Sequence, residues 1–192
     1  MFRSLTVMLA AVLMAGICRA HDGLENETEI RVRKDRIEVT LRSSLLFAWK
    51  FLADKAPPDL SEASMEKART ALKESGKDLI EMSSGASPLK LRSLDCQFEL
   101  EQHVAFTFVF DVPAGNPEIQ FKARFLKNMG ELEEGSFRLI DLTRDPRRRD
   151  VEPLARKRLH RVDDSFAFVT GPEGVRVKQD KTPLPSAAPP SR

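Results

Sequence analysis

From Leu94 to Arg124 the chain alternates apolar and polar residues in three successive rows. Leu94, Cys96, Phe98 and Leu100 fall on one side, with Asp95, Gln97, Glu99 and Glu101 on the other. Val104, Phe106, Phe108 and Phe110 make the next apolar row. Ile119, Phe121, Ala123 and Phe125 make the third, alternating with Gln120, Lys122 and Arg124. A period of two puts successive side chains on opposite faces of an extended strand, so each segment has one face to bury and one to wet. The same alternation opens the body of the chain. Ile30 and Val32 alternate with Glu29, Arg31 and Arg33. After a tight Lys34-Asp35 reversal, Ile37, Val39 and Leu41 alternate with Arg36, Glu38, Thr40 and Arg42. That is the signature of a β-hairpin with one wet face. Shorter candidates are Phe137 to Leu142, Phe166 to Thr170 and Val175 to Lys178. About eight strands, separated by turns such as Pro113-Ala114-Gly115-Asn116-Pro117, predict a mainly β fold, an antiparallel β-sandwich. Twelve Phe, one of them near the N-terminus, and no Tyr point the aromatic content at the core.

One stretch departs from the strand period and predicts a helical insertion after the first hairpin, over about 44–76. Ser61 to Ser75 carries Met65, Ala68 and Leu72 at helical spacing, with Ser61 as N-cap and Gly76 as the stop. Ser44 to Lys55 fits either period. Leu45, Phe47, Trp49 and Phe51 continue the strand parity, whereas Leu45, Trp49 and Leu52 fit a helix. Pro57-Pro58 and the helix that follows favour the helical reading.

The N-terminus reads as a cleavable export signal over 1–20. Arg3 supplies the positive region, Leu5 to Ile17 run without a charge, and Cys18-Arg19-Ala20 sets up cleavage before His21. A run of thirteen residues falls short of the roughly 20 a membrane-spanning helix needs. An uncleaved anchor is the alternative, and a lipid anchor would need cleavage before Cys18, where Ile17 is too bulky. The expected product is an exported protein, periplasmic or extracellular, with a single domain over 21–181 and a disordered Pro/Ala/Ser tail over 182–192. With Arg3 and Arg19 gone, Lys+Arg falls from 31 to 29 against 29 Asp+Glu, so the mature domain is formally neutral. It has no global electrostatic footprint for nucleic acid, and nothing later in the chain would hold it in a membrane.

The mature start at His21-Asp22, the strands Ile30-Arg31-Val32 and Asp35-Arg36-Ile37-Glu38-Val39-Thr40-Leu41, the helical insert and the further strands together resemble the exported N-terminal domain of the hydrogenase/urease accessory membrane proteins of the HupE/UreJ type. The likeness covers about the first half of the mature chain, and the hydrophobic helices that follow in those proteins have no counterpart here. The resemblance implies a free-standing extracytoplasmic β-domain and carries over no catalytic residue.

Candidate chemistry centres on His21. Cleavage after Ala20 would put a free α-amine and an imidazole on one residue, a chelating pair suited to copper(II). A second imidazole would complete a three-nitrogen site, and His103 and His160 are the other histidines. His103 lies opposite Val104, Phe106 and Phe108 in parity, hence at a sheet end or on the wet face. Asp22, Met82 or Met129 could add a ligand, but spacing selects none of them. The competing reading makes His21 an accident of cleavage and His103 a surface residue.

Enzymatic signatures are missing. Ser83-Ser84-Gly85-Ala86-Ser87 has loop composition and does not form a nucleophile elbow. A Cys96–His103 dyad would need two side chains that parity sends to opposite faces. Cys96 itself reads as a buried small hydrophobe. The remaining feature is a basic cluster: Arg144, Arg147, Arg148 and Arg149, then Arg156, Lys157, Arg158 and Arg161, with Asp145, Asp150 and Glu152 between them. It could dock an acidic partner or an anionic membrane surface, Arg147, Arg148, Arg149, Arg156 and Arg158 being the contact residues. The plainer expectation is a long, solvated inter-strand loop. The functional expectation is a non-enzymatic accessory or binding domain with a protein or envelope partner; the alternatives are a copper-binding protein built on His21 and an enzyme of unknown type.

Overall fold

The computed structural model describes residues 26–52, 59, 61–99, 103–129, 134–148 and 151–178. The expected signal, His21, Arg149 and the C-terminal tail lie outside the described residues.

Two sheets form, and their rows of apolar side chains merge in one core. The hairpin of β1 (Asn26–Val32) and β2 (Arg36–Ser44) forms as the alternation requires, with Ile30 facing Val39 and Val32 facing Ile37 in register. β5 (Leu91–Glu99) and β6 (His103–Asp111) extend this sheet on the β2 side; β8 (Glu134–Asp141) and β9 (Ala155–His160) extend it on the β1 side. The strand order is β5-β6-β2-β1-β8-β9. The second sheet runs β11-β10-β7-β3-β4, built from β3 (Glu81–Ser84), β4 (Ser87–Pro88), β7 (Glu118–Lys122), β10 (Ser165–Gly171) and β11 (Gly174–Val177). Phe106, Phe108, Phe121 and Phe168 are fully buried between the sheets. Phe137 of the first sheet meets Phe121 and Phe166 of the second, with ring centroids 5.6 and 4.6 Å apart. Such ring contacts add directional packing to the area they bury.

The helical insertion is present. α1 (Leu45–Leu52) follows β2 directly and buries Phe47, Ala48 and Leu52; Trp49 rests on Phe98 at 5.8 Å, and Leu46 stays exposed. The helix wins because Ala48 and Leu52, one turn apart, both reach the core, whereas strand parity would have turned both away. α2 (Glu62–Ser75) is capped by Ser61, whose hydroxyl accepts from the Ser64 amide, and buries Ala68 and Leu72. Gly76 is not a left-handed stop. Its φ is −64°, and the chain continues into a short 3-10 turn, Gly76–Asp78. Glycine suits the close packing there: a Cβ would sit 3.2 Å from the Phe106 ring and 3.3 Å from Leu94, so those side chains would have to shift by a few tenths of an ångström.

The structure departs from the sequence reading in four further places. β1 and β8 pair in parallel, so the first sheet is not wholly antiparallel. The third alternating row ends as a strand at Lys122. A 3-10 turn, Arg124–Asn128, then carries Phe125 and Leu126 into the core side by side, anchored by the Phe125 amide donating to Leu79 O at 2.8 Å. Ser83 to Ser87 is not an open loop; Ser84 and Ser87 close a small hairpin around Gly85, whose φ is +57°. The basic stretch is not one long loop, because Ala155–His160 is the edge strand β9. No helix among the described residues is long and apolar enough to cross a membrane.

Candidate functional site: the charged outer face of the six-stranded sheet

The wet positions of β1 are Glu27, Glu29 and Arg31. Antiparallel pairing places Arg42 of β2 beside Glu27, and parallel pairing places Arg138 of β8 beside Glu29. The result is a chain of alternating charges. Arg31 pairs with Glu29, Glu29 with Arg138 at 2.5 Å, Arg138 with Glu27 at 2.7 Å, Glu27 with Arg42 at 3.5 Å, and Arg42 with Glu99 at 2.6 Å. Arg42 reaches Glu99 across β6, where its register partner is Ala105; this small side chain leaves the guanidinium room to pass. The hydrogen bonds that the Arg42 guanidinium donates to Glu99 hold it above its already high ordinary pKa. Glu29 is only 8% exposed, so its charge depends on the two arginines that cover it. Further along the sheet, Arg33 and Arg36 share Glu38 at 3.1 and 2.6 Å. Burial pushes the Glu38 carboxyl up, but the hydrogen bonds from Arg36 and Arg33 outweigh it and hold the pKa below the ordinary value.

The edge strand differs. Arg156 lies directly opposite Arg138 in the β8–β9 register. Like charges facing each other across a ladder repel. Arg138 is neutralised by Glu27 and Glu29, whereas Arg156 has no carboxylate within 4 Å among the described residues. Among the described residues Arg158 has only Glu134, at 3.4 Å with both side chains mostly in solvent. A groove of about 370 Å³ runs beside them, lined by Glu27, Ser136, Phe137, Arg138, Arg156, Lys157 and Arg158.

The expected contact residues therefore separate. Arg156 and Arg158 stand exposed on the sheet face. Arg147 and Arg148 are exposed on the loop after β8, which is tied to the far end of β1 by Arg33 Nη1 donating to Pro146 O at 2.7 Å. Arg149 lies outside the described residues.

His103 begins β6 on the outer face, half-buried, in register with Ser44 and Glu99. It lines a second groove, of about 460 Å³, with Asn26, Glu27, Arg42, Glu134 and Arg158. His160 approaches Glu134 from β9, Nδ1 to Oε1 at 3.6 Å. Among the described residues no group of three or more His, Cys, Asp or Glu is arranged to hold a metal ion. Met82 and Met129 are core residues, 2% and 1% exposed. Met129 Sδ accepts from Asn26 Nδ2 at 3.1 Å. Cys96 is fully buried, and burial pushes its thiol up to about 12. It pairs with Phe106, on the face opposite His103, so the two do not form a dyad.

Sequence reasoning found His103, Arg156 and Arg158, and the acidic run Asp22, Glu25, Glu27 and Glu29 as a feature that would attract a cation, but not Arg42 or Arg138 as the partners of Glu27 and Glu29. Their parity marks them as wet-face residues. Arg138 reaches Glu27 and Glu29 through a parallel pairing between segments more than 100 residues apart, which no local pattern encodes, whereas Arg42 meets Glu27 and Glu99 through antiparallel neighbours whose long side chains parity does not aim. Comparison with protein-family models and with curated proteins finds no match for this chain.

Proposed function

We propose that this chain is an exported, non-enzymatic accessory module that docks an acidic protein partner of the cell envelope on the β9 edge of its six-stranded sheet. One observation carries the reading: the arginines inside the face are held by close carboxylates, whereas among the described residues those at its edge have a solvent-screened carboxylate or none. Arg31, Arg42 and Arg138 are held by Glu27, Glu29 and Glu99, while among the described residues Arg156 has no carboxylate within 4 Å and Arg158 has a solvent-screened one. A partner carboxylate at Arg156 would relieve its repulsion with Arg138 and gain a bidentate, charge-assisted contact. The export signature and the resemblance to a HupE/UreJ-type extracytoplasmic domain agree with this setting. The test is calorimetric titration with an oligoglutamate peptide at low salt. The wild type binds, and Arg156→Glu/Arg158→Glu weakens binding by about tenfold or more. Equal affinity in the two proteins overturns the reading.

A copper-binding role is the second reading, and one placement favours it. Asn26, five residues after His21, lines the same groove as His103. Five residues span at most about 17 Å, enough to bring an N-terminal amine and imidazole to that groove. Copper(II) titration of protein beginning at His21 is compared with a variant carrying one extra residue before it and with His103→Ala. One-to-one binding lost in both variants supports the reading; binding indifferent to either change removes it.

A further inference from the structure

At the end of the sandwich remote from His103, four connections converge on a cleft of about 580 Å³: the β1–β2 turn, the β6–β7 loop, the segment after β8 and the β10–β11 turn. That volume lies in the range of small-molecule sites. Its polar lining is cationic, with Arg33, Lys34 and Arg144 and no carboxylate among the described lining residues. Arg33 is already engaged by Glu38 at 3.1 Å and by Pro146 O. Lys34 has no carboxylate within 4 Å among the described residues, and Arg144 spends one nitrogen on the Glu173 carbonyl at 2.5 Å. Val112 and Pro172 add apolar wall.

The lining also includes Thr170, which is 4% exposed and shares the inward parity of Phe168. Its Oγ1 is buried with no hydrogen-bond partner. A hydroxyl in that position costs free energy unless something pairs with it, and valine would fill the same space without that cost. Two cationic side chains without a carboxylate within 4 Å among the described residues, an unsatisfied hydroxyl and an apolar wall converge on one cleft.

We infer that this cleft binds a small organic anion, with its charged head between Lys34 and Arg144, an oxygen toward the Thr170 hydroxyl, and an apolar tail against Val112 and Pro172. The site is separate from the β9 face, and neither proposal depends on the other.

The experiment is amide chemical-shift mapping of the whole domain with hexanoate as probe and hexanol as its neutral match, in the wild type, Lys34→Glu/Arg144→Glu and Thr170→Val. Expected are shifts confined to the four connections and a preference of about tenfold for hexanoate over hexanol. Charge reversal removes that preference. Thr170→Val weakens hexanoate binding while its melting temperature equals or exceeds that of the wild type, a combination that a purely structural hydroxyl would not give. Hexanol binding as tightly as hexanoate, shifts elsewhere on the domain, or affinity untouched by charge reversal would each overturn the proposal.

Discussion

The Asp141 carboxylate joins the two sheets through Val175: its Oδ2 accepts from the Val175 amide at 3.1 Å, while its Oδ1 accepts from the Thr143 amide and hydroxyl at 2.8 and 2.6 Å. Asp141 ends β8 of the first sheet and Val175 belongs to β11 of the second. Gly174 makes the approach feasible, with φ +113° and a missing Cβ that would lie 2.6 Å from Asp141 Oδ2. Asp141→Ala should cost about 1–3 kcal/mol through three donors left without their acceptor. Gly174→Ala should cost a similar ~1–3 kcal/mol through backbone strain and displacement of the carboxylate. Urea unfolding of each variant measures this. Because both changes break one contact, the double variant should lose less than the two single losses combined.

Arginines on the outer face should divide by burial of their partner. Arg138→Met leaves Glu29, 8% exposed, with Arg31 as its one remaining ion-pair partner among the described residues, and is expected to cost about 1–3 kcal/mol. Arg158→Met removes a pair exposed 78% and 57% and should stay within about 0.5 kcal/mol of the wild type. Thermal melts of the two variants side by side check the difference.

Glu38 predicts a pH dependence. Its folded-state pKa lies below the ordinary 4.5, so its ionisation favours the folded state. That contribution is present in full above the unfolded-state value and is lost as pH falls through the lower folded-state value. Glu38→Gln should be less stable than the wild type near neutrality, and the gap should close as the pH is lowered from about 5 to about 3. A gap that stays constant across that range would contradict the assignment.

Cys96 should be inert. Burial pushes its thiol up to about 12, so the thiolate that attacks a disulfide reagent is scarce as well as shielded. A protein beginning at His21 should show no reaction with dithionitrobenzoate at about pH 8 while folded, and one equivalent after unfolding.

Periodicity carried the strands whose apolar rows are long. Val104 to Phe110 and Ile37 to Leu41 are buried where parity puts them, because each strand has one face on the core. β9 escaped the same reasoning because Ala155-Arg156-Lys157-Arg158-Leu159-His160 has one large apolar residue, Leu159, and its charges resemble loop composition. An edge strand has less of its surface to bury, and charged side chains also guard it against pairing with other chains. Parity likewise placed His103 on the outer face. It could not tell which residues stand beside His103 or bring Arg138 to Glu29, since parallel pairing of β1 with β8 joins distant segments without a local signature.

Amide shift mapping with an oligoglutamate peptide is the sharpest test of the proposed docking at the β9 edge. Perturbations are expected along Ala155–His160 and the facing Ser136 to Arg138 of β8, fading as salt is raised above about 0.15 M. Perturbations gathered on β5, on the second sheet or at the far loops, with β9 silent, would contradict it.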